Sequence, residues 1–191
     1  MKCAGVKIYC SFVSDYSLMK SKKEIILDTA LDLFAKKGYT ATSTAKIAKQ
    51  AGVSEGLIFR HFSNKDGLLN AIMELGKEKG QALFNLIQEF DTAKDQLRYI
   101  LQIPFQIPIE EHSFWKLLYA LKWQADSYDE EISSQLSVEL VEIFKKLGYE
   151  NCELEASYVM LLFDGMATSV LLKSHKDQKE IQQLILKKYN L

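Results

Sequence analysis

Residues 44–62 read TAKIAKQAGVSEGLIFRHF. Ile47, Ala48 and Ala51 share one face of a short helix expected over about Thr44–Gln50. Leu57, Ile58 and Phe62 form the apolar set of a second, over about Glu55–His61. Gly52 and Val53 make a tight turn between them, and Ser54 suits the N-cap of the second helix, with Glu55 at its positive end. Ala48, Gly52 and Ile58 follow one another at spacings of four and six. Two helices that cross steeply need a small residue where their backbones nearly touch. They also need a glycine where the turn demands positive φ, and an apolar residue to lock the second helix on the first. That is the helix-turn-helix pattern, whose second helix enters the major groove of DNA.

The flanking sequence extends the helical reading in both directions. Ile26, Ala30, Leu33 and Phe34 share one face of a helix over about Lys22–Lys37, which Gly38 ends. Any of Thr42, Ser43 or Thr44 is suited to cap the next helix. Ser63-Asn64 caps a fourth, from Lys65 towards Phe90, and five more follow over about Ala93–Ile107, Glu110–Ala125, Asp129–Leu147, Glu153–Ser174 and Asp177–Tyr189. Pro104 and Pro108, the only prolines, should kink or stop the first of these five. The expected fold is all-α with about nine helices. Residues 19–66 form a three-helix DNA-binding domain, residues 67–191 form a helical ligand-binding and dimerisation domain, and residues 1–18 are either a disordered arm or lie upstream of a natural start at Met19.

The stretch from Lys22 to Leu69 resembles the DNA-binding domain of the tetracycline-repressor (TetR) family. The resemblance rests on Ile26, Ala30, Leu33, Phe34, Gly38-Tyr39, Thr42 and Ile47-Ala48. It continues in Ala51-Gly52-Val53-Ser54, Gly56, Phe59, His61-Phe62, Lys65 and Leu68-Leu69. It implies a homodimeric repressor that binds a palindromic operator on double-stranded DNA and is released by a small-molecule effector, here a mostly apolar one. The alternative is a DNA-binding interaction or architectural protein of the same fold with no effector.

The candidate DNA-binding residues are Thr42, Thr44, Lys46, Ser54, Glu55, Gly56, Phe59, Arg60, His61 and Lys65. Hydroxyls, helix N-terminal N–H groups and Lys or His side chains hold phosphate. Arg60 pairs bidentately with guanine, binds phosphate, or is a solvated surface arginine. Phe59 stands where the family usually has a tyrosine whose hydroxyl binds phosphate, so packing against sugar must replace that bond. Glu55 accepts from cytosine N4 or caps its helix, and the cap is the favoured reading.

Aromatic residues concentrate in the second domain. The candidate effector site is Phe105, Trp115, Tyr119, Trp123, Met160, Phe163 and Asp164, with Gln106, His112 and Gln124 as further polar groups. An ordinary helical core is the rival reading for each. Asp164 is the sharpest of them, because a carboxylate inside an apolar helix needs a partner. Ala156–Leu172 is apolar nearly all round, and Gly165, Ala167 and Ser169 admit a close helix. In the resembling family the last two helices form a four-helix bundle with their copies in a second subunit.

The totals agree. Between Met19 and Asp66 nine Lys/Arg face five Asp/Glu, a net of +4, while from Gly67 onward thirteen face nineteen, a net of −6. A basic head on an acidic body suits a chain of which one end meets phosphate. Three cysteines, Cys3, Cys10 and Cys152, give no disulfide framework and fit a reducing cytoplasm. Neither the spacing of His61, His112 and His175 nor any CxxC pair suggests zinc. GKEKG at 76–80 lacks P-loop spacing, and an acidic helix start explains Asp126, Asp129, Glu130 and Glu131. No enzyme, cofactor or metal is expected, and Ala156–Leu172 falls short of the roughly 20 apolar residues of a membrane span.

Overall fold

A computed structural model describes residues 20–122, 131–174 and 176–191. The N-terminal arm, Met19, Trp123, Gln124, the acidic run from Asp126 to Glu130 and His175 lie outside them. The described residues are helical, with no strand among them. In chain order the α-helices are α1 (Lys22–Lys37), α2 (Thr44–Ala51), α3 (Glu55–Phe62), α4 (Lys65–Gln88), α5 (Ala93–Gln102), α6 (His112–Lys122), α7 (Glu131–Lys146), α8 (Cys152–Leu172) and α9 (Gln178–Lys188). Two 3₁₀ turns, Ile103–Gln106 and Ile109–Glu111, separate α5 from α6. The chain divides into two compact units, the first ending at Ile72 and the second beginning at Met73, within α4.

Local chemistry sets the ends of these helices. A capping box opens α1: the Glu24 N–H donates to Ser21 Oγ at 3.2 Å, and the Ser21 N–H donates to Glu24 Oε2 at 2.6 Å. Asn64 Oδ1 accepts from the Gly67 N–H at 2.7 Å and caps α4. The proline expectation holds in a definite form: α5 stops at Gln102, and Pro104 sits inside the first 3₁₀ turn, where its missing N–H breaks no α-helical ladder.

The first unit packs around Ile26, Ala30, Leu33 and Phe34 of α1, Ile47 and Ala48 of α2, Ile58 and Phe62 of α3, and Leu68 and Ile72 of α4, all buried. The second packs around Leu97, Ile100 and Leu101 of α5, Leu140, Ile143 and Phe144 of α7, Ala156, Val159 and Met166 of α8, and Ile185 of α9. Phe144 meets the edge of Tyr149 at 5.0 Å between centroids. α8 is longer than the apolar run read from the sequence: its 21 residues are long and apolar enough to cross a membrane by length and composition alone. Its inner face nevertheless belongs to the core of the second unit, through Ala156, Val159, Ala167 and Val170.

Gly67 in the first turn of α4 answers to close approach. A Cβ there would lie 1.8 Å from the Phe62 carbonyl oxygen. Gly67→Ala should therefore lose about 2 kcal/mol or more of stability, because rigid backbone must move. Gly56→Ala, with nothing within 4 Å of the new Cβ, should change stability by less than about 1 kcal/mol, in the stabilising direction. Thermal melts followed by circular dichroism compare the two variants directly.

Candidate nucleic-acid interface

Three hydroxyl residues compete to begin α2, and Ser43 takes the cap: its Oγ accepts from the Lys46 N–H at 3.3 Å. α2 ends at Gly52, which adopts φ 64°, ψ 40°, the left-handed conformation that glycine enters without steric cost. The Gly52 N–H returns to the Ala48 carbonyl, as does that of Val53 at 3.0 Å. Ala48 and Ile47 of α2 and Ile58 of α3 are all buried, so the small residue, the glycine and the locking side chain fill the roles their spacing assigned. Ser54 occupies the N-cap of α3 without a side-chain cap bond.

The outer face of α3 carries Ser54, Gly56, Phe59, Arg60 and His61, all exposed. Phe59 is 47% exposed, a large exposure for an aromatic ring on an eight-residue helix. Among the described residues no carboxylate lies within ion-pair distance of Arg60, His61 or Lys46. Lys46 is instead crowded by Lys37, whose neighbouring ammonium pushes its pKa below the usual lysine value. Like charges left together favour an anion that bridges them. Sequence reasoning missed Lys37, which reads as a residue of the α1 C-terminus, and only the packing of α1 on α2 brings it to this face. The Thr44 hydroxyl donates to Glu55 Oε1 at 2.5 Å and ties the first residues of α2 and α3 together.

Two residues assigned to DNA do other work. Thr42 is 1% exposed, and its hydroxyl donates to the Gly38 carbonyl at 2.9 Å; a buried, bonded hydroxyl has no face to offer a phosphate. Lys65 turns its ammonium into the protein. It donates to the carbonyls of Tyr39 at 3.0 Å and Thr42 at 3.1 Å, and lies 4.1 Å from the centroid of the Tyr39 ring. The Tyr39 hydroxyl donates to the Asp66 carboxylate, and burial together with Asp66 pushes its pKa up to about 12. These bonds fasten the loop between α1 and α2 to the start of α4.

In the second unit Phe105, Met160 and Phe163 are partly buried and pack against the core. Asp164 has the partner its setting demands: the Tyr119 hydroxyl donates to Asp164 Oδ1 at 3.3 Å. Trp115 Nε1 donates to Glu111 Oε2 at 3.0 Å, and Lys79 pairs with the same carboxylate at 2.7 Å. His112 Nε2 lies 3.3 Å from the Ile107 carbonyl, while its Nδ1 is buried with no partner among the described residues. Gln106 is exposed, and Ala167, expected to admit a close helix, is buried within the unit at 1% exposure.

A glycine-turned helix pair whose second helix exposes Phe59, Arg60 and His61 defines a DNA-binding protein of the helix-turn-helix class. Residues 26–72 match the family described as bacterial regulatory proteins, tetR family. The chain is similar to the HTH-type transcriptional regulator YuxN of Bacillus subtilis, at 31% identity over 60% of this chain and 39% of that one. It is similar to the fatty acid metabolism regulator protein of the same organism, at 37% identity over 46% of each chain. The matches thus span less than half the length of these curated relatives. Among solved structures, a TetR-like transcriptional regulator from Rhodococcus sp. RHA1 shares the fold, with a TM-score of 0.73 over 88% of this chain and 94% of that one at 20% identity. Residues 26–72 thus carry the segment shared by the tetR family of bacterial regulatory proteins, and the relatives that match it are transcriptional regulators rather than enzymes.

Lys65→Met keeps the apolar stem and removes both carbonyl bonds. It should cost about 2 kcal/mol of stability, as bonds from charged donors do, and leave the dependence of DNA affinity on salt unaltered. Arg60→Ala and Lys46→Ala should each lower the slope of log affinity against log salt by about one unit. Salt titrations of binding distinguish the two classes, and a unit drop in slope for Lys65→Met returns that residue to phosphate.

Proposed function

We propose that the chain is a ligand-responsive cytoplasmic repressor that binds a palindromic operator as a homodimer. The observation that carries this is the outer face of α3: an exposed Phe59 beside Arg60 and His61, with the like-charged pair Lys37 and Lys46 near the helix pair. Such a face supplies phosphate holders around a helix of the right size for a major groove.

The dimer is supported by α8. Leu154, Tyr158, Leu161 and Leu172 are exposed, at 71%, 47%, 73% and 64%. With exposed Gly165 and Thr168 between them they recur at alternating steps of four and three, a single stripe along the helix. Leu184 of α9 is exposed as well, at 55%. A stripe of this size calls for a cover, and a second copy supplies an identical one by two-fold symmetry. A palindromic operator would offer the two α3 helices of such a dimer successive major grooves, about 34–36 Å apart.

The effector proposal rests on the partly buried Phe105, Met160 and Phe163 and on the Tyr119–Asp164 and Trp115–Glu111 bonds of the second unit, apolar groups and a few oriented polar ones of the kind a small-molecule site uses. The relative named for fatty acid metabolism supports an effector with a long apolar body. Release would act through α4, which begins at the Lys65 anchor and contributes to both units. An effector that prefers a second placement of α4 spoils half-site spacing, and a shift from 99:1 to 1:99 needs about 5.5 kcal/mol of differential affinity.

Footprinting should show a dyad-symmetric site, and fatty acids should raise the melting temperature and release the operator. Protection of single asymmetric sites by a monomer refutes the repressor as stated; operator binding that no metabolite disturbs leaves a DNA-binding protein without effector. Leu161→Glu should weaken dimerisation by about a hundredfold or more, from a charge buried at the centre of the stripe, as read by sedimentation equilibrium.

A further inference from the structure

Glu55 is the one carboxylate between Asp32 and Asp66, in a stretch whose other charges are lysines and Arg60. A carboxylate near phosphate weakens binding to every sequence, so its presence on this face asks for a compensating role. Capping does not supply it. The Leu57 N–H is taken by the Ser54 carbonyl at 3.0 Å, and the Glu55 oxygen reaches away from its own helix to the Thr44 hydroxyl on α2. That bond fixes the rotamer of the carboxylate through Oε1, and no hydrogen bond within the described residues engages Oε2. The neighbours are an exposed Ser54, an exposed Gly56 without side-chain bulk and, one helical turn on, the exposed ring of Phe59.

The first turn of a recognition helix reads base edges. An ionised carboxylate only accepts hydrogen bonds. Guanine presents N7 and O6 acceptors in the major groove and thymine O4, both of which repel it; adenine offers its amine beside an acceptor, N7. Cytosine offers an amine alone. Resting on the DNA-binding reading above, we propose that Glu55 selects a cytosine in each operator half-site, with Thr44 holding the carboxylate in the reading rotamer. Thr44 is then a positioning residue, and Phe59 packs its ring on the adjoining apolar edge of the groove.

The test is selection from randomised duplex DNA with the full-length protein and the variants Glu55→Ala, Glu55→Gln, Thr44→Val and Thr44→Ser. The native protein should enrich a cytosine at one symmetric position of both half-sites, about tenfold over other bases. Glu55→Ala should flatten that position and leave the others. Glu55→Gln should redirect it to adenine, whose N6 and N7 a glutamine amide matches. Thr44→Val should weaken the cytosine preference, and Thr44→Ser, which restores the hydroxyl, should recover it. Melting temperatures of the same variants separate reading from folding. An even loss of affinity in Glu55→Ala, with every base preference unchanged, assigns Glu55 to structure and overturns the proposal. Enrichment of no sequence by the native protein overturns the DNA-binding reading itself.

Discussion

A cation fastened to backbone carbonyls governs the first unit. The ammonium of Lys65 closes on the Tyr39 and Thr42 carbonyls, Thr42 turns its hydroxyl back to Gly38, and Tyr39 reaches Asp66. A short connection between α1 and α2 leaves carbonyls without helical partners, and a lysine from α4 is the donor that satisfies two of them at once. Because Ser43 and Thr44 follow directly, the start of α2 is held by the same knot, and through Thr44 and Glu55 so is the start of α3. The exposed side chains of the helix pair inherit their placement from bonds that face inward.

The helix-turn-helix was legible because its constraints are local. A small residue, a left-handed glycine and a locking isoleucine within eleven positions permit few arrangements, and Ala48, Gly52 and Ile58 take the predicted ones. Helix ends were legible to within a few residues for similar reasons, since caps and prolines act on their immediate neighbours. Which of Thr42, Ser43 and Thr44 caps α2 was not, because all three carry a hydroxyl, and only the burial of Thr42 and the bond from Thr44 to Glu55 leave the cap to Ser43.

Residue roles were less legible than residue positions. A lysine at the first turn of a helix looks the same in sequence whether it faces phosphate or a carbonyl, and Lys65 faces carbonyls 23 and 26 residues upstream. Asp164 announced a need for a partner, yet Tyr119 lies 45 residues away and no local pattern points to it. Periodicity likewise admitted a close helix at Ala167 without saying whether it comes from the same chain or a second one, and the burial of Ala167 assigns that side of α8 to the chain's own core. In each case the missing information was which of two faces the rest of the unit had already covered.

The stripe on α8 also makes protein concentration a structural variable. A chain that leaves Leu154, Leu161 and Leu172 in water gains their burial only by association, so the free energy of that face enters through mass action. For a dimeric regulator, occupancy of a two-half-site target then rises with the square of chain concentration until the dimer saturates. On the proposed dimer, a shallow change in synthesis would become a sharper change in occupancy of its DNA site.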